Sequence, residues 1–512
     1  MFTDLGISEA DWDSTPQSVK TVLIALQHQA RLMEMRFTAY EKKLAALEAK
    51  DAEIESLKTE VAALRERLGQ NSSNSSRPPS SDPLQSSRPS RRQPSGKKQG
   101  AQVGHQGAGR SLKPVEEVDH VVDLRPVRCR RCGRRLQGDD RQPARHQVTE
   151  IPSAQAEVTE YRRHTLACAA CGGKTEAEWS EEVPEGSFGT RLQATIAYFT
   201  GRLGLSHRDC VEAFGALHGV KLSLGSVSAI QRQVSAAVAA PVETAREFVR
   251  ARAVNHVDET GWREQSKLHW MWVNATRQVT AFQITPKRDA ATAREVIGRA
   301  RTSIITTDRY LGYSWLATRR RQVCWAHLKR DFQAISERSG ESQEIGEALL
   351  AQTKEVFRLW HQLRDGGLRR RKFQRLIAVV RQRVKELLDE GSDCRSSKTK
   401  GTCRQIRTLE AALWTFVRVG GVEPTNNFAE RALRRAVLWR RKSFGTQSEA
   451  GSRFVERILS VVTTLRQQGR DVLEYLTAAC ASAQGESGSI CLLPDSSSSK
   501  TTERLRKLRR VR

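Results

Sequence analysis

Three acidic residues, Asp258, Asp308 and Glu430, are candidates for one metal site, although they lie far apart in the sequence. The two aspartates each follow a strand-like stretch, "RAVNHVD" and "TSIITTD", and Glu430 lies near the start of the helix-like segment "PTNNFAERALRR". Mg²⁺ prefers oxygen ligands. Two such ions about 4 Å apart can act on the attacking and leaving oxygens of a phosphodiester. The three acids therefore predict phosphoryl transfer, provided that the fold brings them together.

The direction in which Glu430 points decides whether it can join the aspartates. Asn426 or Asn427 is expected to cap the helix. On that helix, Glu430 shares a face with Leu433 and Val437, whereas the opposite side carries Arg431, Arg435 and Lys442. An acid aligned with apolar positions is expected to face the core.

Other interpretations of these acids remain open. A glutamate in the first turn is favoured by the helix dipole, and Glu430 could pair with Arg434 four residues later. An aspartate at a strand end is also a common turn residue. Spacing alone does not separate the candidates from nearby acids, or from histidines that could lie beside the metals: Glu259, Glu423, His256 and His327.

The elements around the acids predict the fold. Residues 250–334 read as three strands in succession, a helix, a fourth strand, and a fifth strand that passes into a helix. This is the order of an RNase H-like mixed sheet, in which the first and fourth strands are neighbours. Residues 335–420 lack strand patterns and are predicted to be a helical insertion, and residues 421–480 return to the core. The predicted fold is multidomain α+β with an RNase H-like α/β catalytic core.

Four cysteines form two C-x-x-C-G motifs within residues 111–182. Each motif directs two thiolates at one ion, and four thiolates complete the tetrahedral site of a structural Zn²⁺. The residues between the motifs alternate like strands, which favours a zinc-ribbon DNA-binding domain. The predicted ligands are Cys129, Cys132, Cys168 and Cys171.

The remaining segments predict binding and assembly. Apolar residues recur every seven positions in residues 20–70, which is typical of a coiled coil, and a dimer is its simplest form. Residues 71–110 and 485–512 are polar and basic and are predicted to be disordered. Residues 188–245 read as short helices joined by turns, similar to a helix-turn-helix domain, although a small helical bundle would look alike.

The charge of the chain indicates a polyanionic partner. The 512 residues include 85 Lys and Arg against 58 Asp and Glu, a net charge of +27. Nucleic acid is the first candidate and an anionic membrane surface the second. No apolar run is long enough to span a bilayer, and the acidic beginning does not look like a signal peptide. A cytoplasmic, nucleoid-associated protein that binds double-stranded DNA is expected, without a membrane partner.

The chain resembles the bacterial transposases of the insertion sequence 66 family, which belong to the DDE group. The resemblance covers nearly the whole chain and rests on "NSSNSSRPPSSD", "GAQVGHQGAGR", the two C-x-x-C pairs, "HVDETGWR" followed by "KLHWMWV", "CWAHLKRDF" and "NNFAERALR". It implies that Asp258, Asp308 and Glu430 are the DDE carboxylates, with Mg²⁺ or Mn²⁺ as the catalytic ion. It also implies that the zinc domain binds transposon ends and that the coiled coil forms a homo-oligomer.

The expected function is therefore transposition of DNA. The protein would bind the terminal inverted repeats of an insertion sequence, cleave the strand and transfer its 3′-hydroxyl to target DNA. Accessory proteins of the same element are further candidate partners. The alternatives are a non-catalytic zinc-binding regulator or decayed transposase, and an RNase H-like nuclease without strand transfer.

Overall fold

The structure is a computed structural model. The chain divides into two units, residues 1–87 and 88–512, and each is described by itself. Most of the two segments that were predicted to be disordered, 71–110 and 485–512, lies outside the described residues. These are 6–71, 73–75, 111–152, 155–180, 183–184, 186–299, 302–485, 488 and 490–494.

One long helix makes up most of the first unit. The short helix α1 (Glu9–Ser14) precedes it, and α2 (Gln17–Gly69) then continues for 53 residues. A helix over residues 20–70 is thus confirmed, while its pairing with a second helix stays a prediction. Its apolar seven-residue repeat is exposed, at 44–86% for each member: Leu26, Met33, Tyr40, Leu47, Ile54, Val61 and Leu68.

Residues 111–180 of the second unit have little regular structure. β1 (Thr165–Ala167) and β2 (Lys174–Glu176) form an exposed antiparallel hairpin around the second C-x-x-C motif. Of the strand-like stretches expected between the two motifs, the described residues form only β1. The other stretch, residues 145–152, makes no strand, because no second segment pairs with it.

Four helices follow and confirm the helical character of residues 188–245. The first passes into a π-helical turn, Tyr198–Leu203, and Ser206 caps the second through the expected capping box with Asp209. The helices are α3 (Thr190–Ala197), α4 (His207–His218), α5 (Leu224–Ala237) and α6 (Ala239–Arg250).

A five-stranded mixed sheet forms the centre of the second unit, in the order β5-β4-β3-β6-β7. The first three strands of this sheet pair antiparallel, and β6 and β7 pair parallel, so the expected order is confirmed. The sequence analysis expected the first strand to end at Asp258. The strand instead continues beyond this residue and forms one arm of a hairpin with the next strand. The strands are β3 (Val254–Glu264), β4 (Lys267–Ala275), β5 (Thr280–Thr285), β6 (Ile304–Thr307) and β7 (Arg321–Val323).

Helices cover the sheet and continue beyond it. α7 lies between β5 and β6, α8 follows β7, and five helices and then three more complete the described chain. The segment predicted as helices at 449–480 is two helices, because Gly469 adopts φ 71° and ends the first of them. The helices are α7 (Ala290–Ile297), α8 (Trp325–Ser336), α9 (Glu341–Arg364), α10 (Arg370–Asp393), α11 (Ser397–Thr408), α12 (Glu410–Leu413), α13 (Thr415–Arg418), α14 (Asn427–Ser443), α15 (Glu449–Gln468) and α16 (Val472–Ala483).

Three apolar clusters hold these elements together. The largest joins α3–α6 to one face of β4 and β5 and to α14–α16, so the helices at 190–250 share a core with the sheet. A smaller cluster packs α7 on the opposite face, around Val257 and Trp272. The third joins β6, β7 and α8 to α9–α13, and in it the rings of Trp325 and Trp414 pack at a tilt of 59° with a centroid distance of 4.9 Å.

Gly201 permits the closest helix packing in the largest cluster. It lies in the π-helical turn against Ile458 of α15, and an added Cβ would collide with that side chain. We expect Gly201→Ala to lower the free energy of unfolding by about 1–3 kcal/mol, because overpacking forces neighbouring atoms apart. Chemical denaturation of this variant, of the control variant described next and of the wild type measures the change.

Gly215 in α4 provides the matched control, since an added Cβ would meet nothing within 4 Å. Gly215→Ala should raise the free energy of unfolding by about 0.5–1 kcal/mol, the usual gain of alanine over glycine inside a helix. Equal effects of the two substitutions would contradict the packing described for Gly201.

Candidate active site

The pairing of β3 with β6 places Asp258 and Asp308 at the same level. The two strands are parallel, and their register pairs His256 with Thr306. Each aspartate lies two residues beyond that pair. Since parallel strands end at the same edge of a sheet, the two carboxylates come from adjacent positions at the carboxyl end of this pairing. The pairing stops here even though β3 itself continues.

Asn426 fixes the start of α14 beside Asp258. Its side-chain Nδ2 donates to the carbonyl oxygen of Val257 at 2.8 Å. Its backbone N–H donates to Cys324 Sγ at 3.1 Å. Asn426 occupies the cap position of α14, as expected, but its side chain makes no capping hydrogen bond. The amide instead joins the helix to the strand residue that precedes Asp258.

Glu430 lies in the first turn of α14 with its side chain 30% exposed. Its Oε1 is 3.5 Å from His327 Nδ1 and 4.0 Å from Cys324 Sγ. These three ligand atoms lie within 4.8 Å of one another. Among the described residues, no ion pair joins Glu430 to Arg434, and the position of Glu430 in the first turn also fits the helix-dipole interpretation.

Asp258 lies among other acids whose charges act on its carboxyl group. Burial is the largest cause that raises the pKa of Asp258 well above its usual value. Neighbouring negative charges raise it further, those of Glu259, Asp308 and Glu430. No lysine or arginine among the described residues forms an ion pair with any of the three predicted ligands. Arginine charges nevertheless act on Asp308, although none of these arginines contacts its carboxylate in an ion pair.

Glu259, the nearest rival to Asp258, points the other way. Successive strand residues face opposite sides of a sheet, and Glu259 faces Arg288 and Tyr313. The Tyr313 hydroxyl donates to its Oε2, and Arg288 Nε donates to its Oε1 at 2.8 Å. Its side chain is 1% exposed, and burial is the largest cause that raises the pKa of Glu259 to about 6. Its oxygens are thus already engaged.

The turn after β6 holds Asp308 in place. The Tyr310 N–H donates to Asp308 Oδ1 at 2.9 Å, and Arg321 Nη2 donates to the Asp308 carbonyl at 2.6 Å. Arg309 turns away and pairs with Asp331 of α8 at 2.8 Å. The Asp308 side chain therefore keeps most of its acceptor capacity.

The remaining candidates divide into one near the cluster and two away from it. His256 is buried, and burial is the main cause that lowers its pKa to about 4, so it is a neutral packing residue against Phe428. The charge of Glu423 acts on Arg364 of α9. His327 lies at the site. Cys324 lies there too, and the sequence interpretation missed this cysteine. The spacing Cys-x-x-His at a helix start was the available signal, because positions three apart share a helix face.

The two C-x-x-C motifs adopt the same backbone turn. In each, the N–H of the following glycine donates to the carbonyl of the first cysteine, at 2.9 Å for Gly133 and 2.8 Å for Gly172, and both glycines have positive φ. Hydrogen bonds from backbone groups lower the pKa of Cys129 and of Cys168. The described residues do not bring three of these thiols within 4.8 Å of one another. The joint site therefore stays a prediction.

Comparison with known proteins gives two family matches. A family described as "Transposase IS66 family" matches residues 185–453, just over half of the chain. A "Family of unknown function (DUF6444)" matches residues 25–111. The first match contains all three candidate carboxylates, and neither contains the four cysteines.

One relative is an "Uncharacterized protein y4qI" of Sinorhizobium fredii (strain NBRC 101917 / NGR234). It is 28% identical to the chain over 234 residues. The match covers 41% of this chain and 42% of the relative, which is less than half of either protein.

Two adjacent asparagines provide a test of the attachment of α14 to β3. We expect Asn426→Ala to lower the free energy of unfolding by about 1–3 kcal/mol, because the buried Val257 carbonyl would lose its side-chain donor. Asn427, the first residue of α14, is exposed. Its replacement by alanine should cost less than about 0.5 kcal/mol, as for an ordinary surface position. Chemical denaturation compares them, and equal losses would contradict the assigned hydrogen bond.

Proposed function

This chain belongs to the transposase IS66 family, and on that premise we propose that it catalyses DNA transposition with Asp258, Asp308 and Glu430 as its DDE carboxylates. It would cleave a strand at the end of an insertion sequence and join the resulting 3′-hydroxyl to target DNA. The observation that carries this assignment is the hydrogen bond from Asn426 to the Val257 carbonyl, which places the first turn of α14, with Glu430, beside the two aspartates that the β3–β6 register aligns.

The chemistry of these residues fits Mg²⁺ or Mn²⁺. Oxygen ligands suit both ions, and a cation between neighbouring carboxylates would stabilise their charged forms. When bound, the metal would polarise the phosphodiester and activate the attacking oxygen. The protein supplies the geometry: the β3–β6 register fixes the two aspartates, and Asn426 fixes the turn of α14 that carries Glu430.

The strand order and the position of α14 support an RNase H-like core. Three antiparallel strands followed by two parallel ones match the order expected for that fold. The helices α9–α13 share an apolar cluster with β6, β7 and α8, and this cluster is separate from the other two. We assign them as the helical insertion between the second aspartate and the glutamate.

Double-stranded DNA is the substrate that the charge favours. The exposed side of α14 carries five basic residues, and none of them is in an ion pair among the described residues: Arg431, Arg434, Arg435, Arg441 and Lys442. Such side chains can neutralise phosphates without reading the base sequence. The helix that carries Glu430 inward would thus hold DNA on its outer face.

The other segments would bind DNA ends and assemble subunits. We assign α4 and α5 as a helix-turn-helix-like unit for the terminal repeats. The exposed apolar stripe of α2 fits a coiled coil between copies of this chain, because burial of such a stripe drives helix pairing. Paired copies would process two ends together.

A structural Zn²⁺ would close residues 111–182 into an end-binding domain. The two motifs share one turn geometry, and backbone donors favour the thiolate form of their first cysteines. Thiolates are the form that binds zinc. Joining the motifs through one ion would order a segment that has little other regular structure.

Thiol reactivity tests the zinc assignment. Five cysteines are buried, and the other five are the proposed ligands and Cys491. Burial raises the pKa of the Cys210 thiol to about 11, so groups of this kind should react slowly. In chelator-treated protein we expect five fast-reacting thiols with a disulfide reagent, and one after addition of an equivalent of Zn²⁺. Cys491→Ser is the control and should leave none. Five fast-reacting thiols in the presence of zinc would contradict the assignment of the four cysteines as zinc ligands.

Conservative substitutions test the carboxylates. Asp258→Asn and Glu430→Gln should each reduce Mg²⁺-dependent cleavage of terminal-repeat DNA by more than the roughly 10- to 100-fold that loss of an outer-shell partner costs. Binding of the same DNA should persist. Glu347→Gln, on the exposed side of α9, is a matched helix-glutamate control and should cleave at the wild-type rate. Wild-type cleavage by either site variant would refute the metal assignment.

The same assay separates the alternatives. Wild-type protein that binds the ends and never cuts them would indicate a regulator or a decayed transposase. Cutting without joining to a target duplex would indicate a nuclease.

A further inference from the structure

Phe444 combines two unusual properties at the end of α14. It is 79% exposed, and its φ of 57° places its backbone in the left-handed region. Glycine is the usual residue at a helix end of this kind. A bulky side chain with positive φ is an outlier, and such strain persists where the surrounding structure enforces it, often at functional sites.

The β3–β4 hairpin holds the backbone that directly follows Phe444. The N–H of Thr446 donates to the Arg263 carbonyl at 2.9 Å, and the N–H of Gln265 donates to the Thr446 carbonyl at 3.0 Å. Trp262 Nε1 also donates to Thr446 Oγ1 at 3.1 Å. Gly445, which lies between Phe444 and Thr446 in the sequence, is so close to the hairpin that an added Cβ would collide with the Arg263 carbonyl. The β3–β4 hairpin therefore fixes the turn that exposes the ring.

Basic groups without carboxylate partners precede the exposed ring. Arg440 donates to Thr260 Oγ1 at 3.1 Å and to the Gly261 carbonyl, and among the described residues neither it nor Arg441 forms an ion pair. The nearby carboxylates are turned elsewhere: Glu264 lies 3.8 Å from His269, and Glu449 lies 4.0 Å from Arg453. An exposed aromatic ring beside basic groups that form no ion pair matches a nucleic-acid base attached to phosphates.

The position of the ring relates it to the carboxylates. Along α14, the backbone of Phe444 is about 20 Å from that of Glu430, at the helical rise per residue. Along β3, the hairpin end is about 20 Å from Asp258, at the rise of an extended strand. Both elements therefore span a distance of about six nucleotide steps of B-form DNA.

We propose that Phe444 stacks on an unpaired or unstacked base of the DNA substrate, about six nucleotides from the reacting phosphodiester. The proposal rests on the proposed function and goes beyond it by assigning a base-contacting residue outside the carboxylate site. The turn would present the flat ring to the base while the neighbouring arginines contact the backbone phosphates.

The test uses full-length protein with oligonucleotides that contain one 2-aminopurine, either single-stranded or unpaired within a duplex. Wild-type protein should quench its fluorescence when the probe lies at the matching distance from the cleaved end. Phe444→Gly should abolish the quench and weaken binding about tenfold, within the range for loss of one base–aromatic stack. Phe444→Trp should retain both. Leu438→Ala, an exposed apolar position on the same helix, should behave as the wild type.

Two further readouts separate stacking from damage to the fold. Phe444→Gly should melt at the same or a higher temperature, because glycine adopts positive φ without strain. The dependence of its DNA affinity on salt should keep the wild-type slope, whereas Arg441→Gln should reduce that slope by about one phosphate contact.

Unchanged affinity and quench in Phe444→Gly overturn the proposal, and a change of oligomeric state alone would identify a protein contact instead. If the wild type cleaves terminal-repeat DNA while Phe444→Gly is indistinguishable from it, only this inference fails. If the wild type binds none of the DNA probes, the proposed function fails as well.

Discussion

The attachment of α14 to β3 is the interaction on which the candidate site depends. Asn426 and Val257 are 169 residues apart in the chain, and one side-chain hydrogen bond joins them. The two aspartates need only the register of adjacent strands. The glutamate needs a helix placed against the sheet at the correct turn. Cys324 reinforces that placement, because its sulfur accepts the Asn426 N–H and burial raises the pKa of its thiol to about 12, which keeps it protonated.

The adjacent acids Asp258 and Glu259 have different surroundings because they lie on opposite faces of β3. Asp258 faces the helix that brings Glu430, and burial and neighbouring negative charges raise its pKa well above the usual value. Glu259 faces Arg288 and Tyr313, which satisfy both of its oxygens. Arg288 also stacks on Tyr310, with the guanidinium 3.9 Å from the ring centroid, and the Tyr310 N–H binds Asp308. Glu259 thereby supports the turn that carries the second aspartate.

Much of this arrangement could be predicted from the sequence, because local patterns report it. Strand periodicity predicts the succession of strands and helices along the chain, and the apolar positions around Glu430 predict which face of α14 turns inward. Long-range pairing has no local signal. The extension of β3 past Asp258 depends on its pairing with β4, and the use of the Asn426 amide depends on the approach of Val257. The shared core of α3–α6 and the sheet also depends on packing that no local window contains.

The place of Glu430 in the chain has a consequence for biosynthesis. Synthesis proceeds from the amino terminus, so β3 and β6 leave the ribosome before α14 exists. Until α14 has been translated, the nascent polypeptide holds two of the three carboxylates. The segment α9–α13 is translated after β6 and before α14. It can pack into the apolar cluster that it shares with β6, β7 and α8 before α14 is made. A transcript broken before this helix would therefore yield a chain with the sheet and the segments upstream of it but without the third candidate carboxylate.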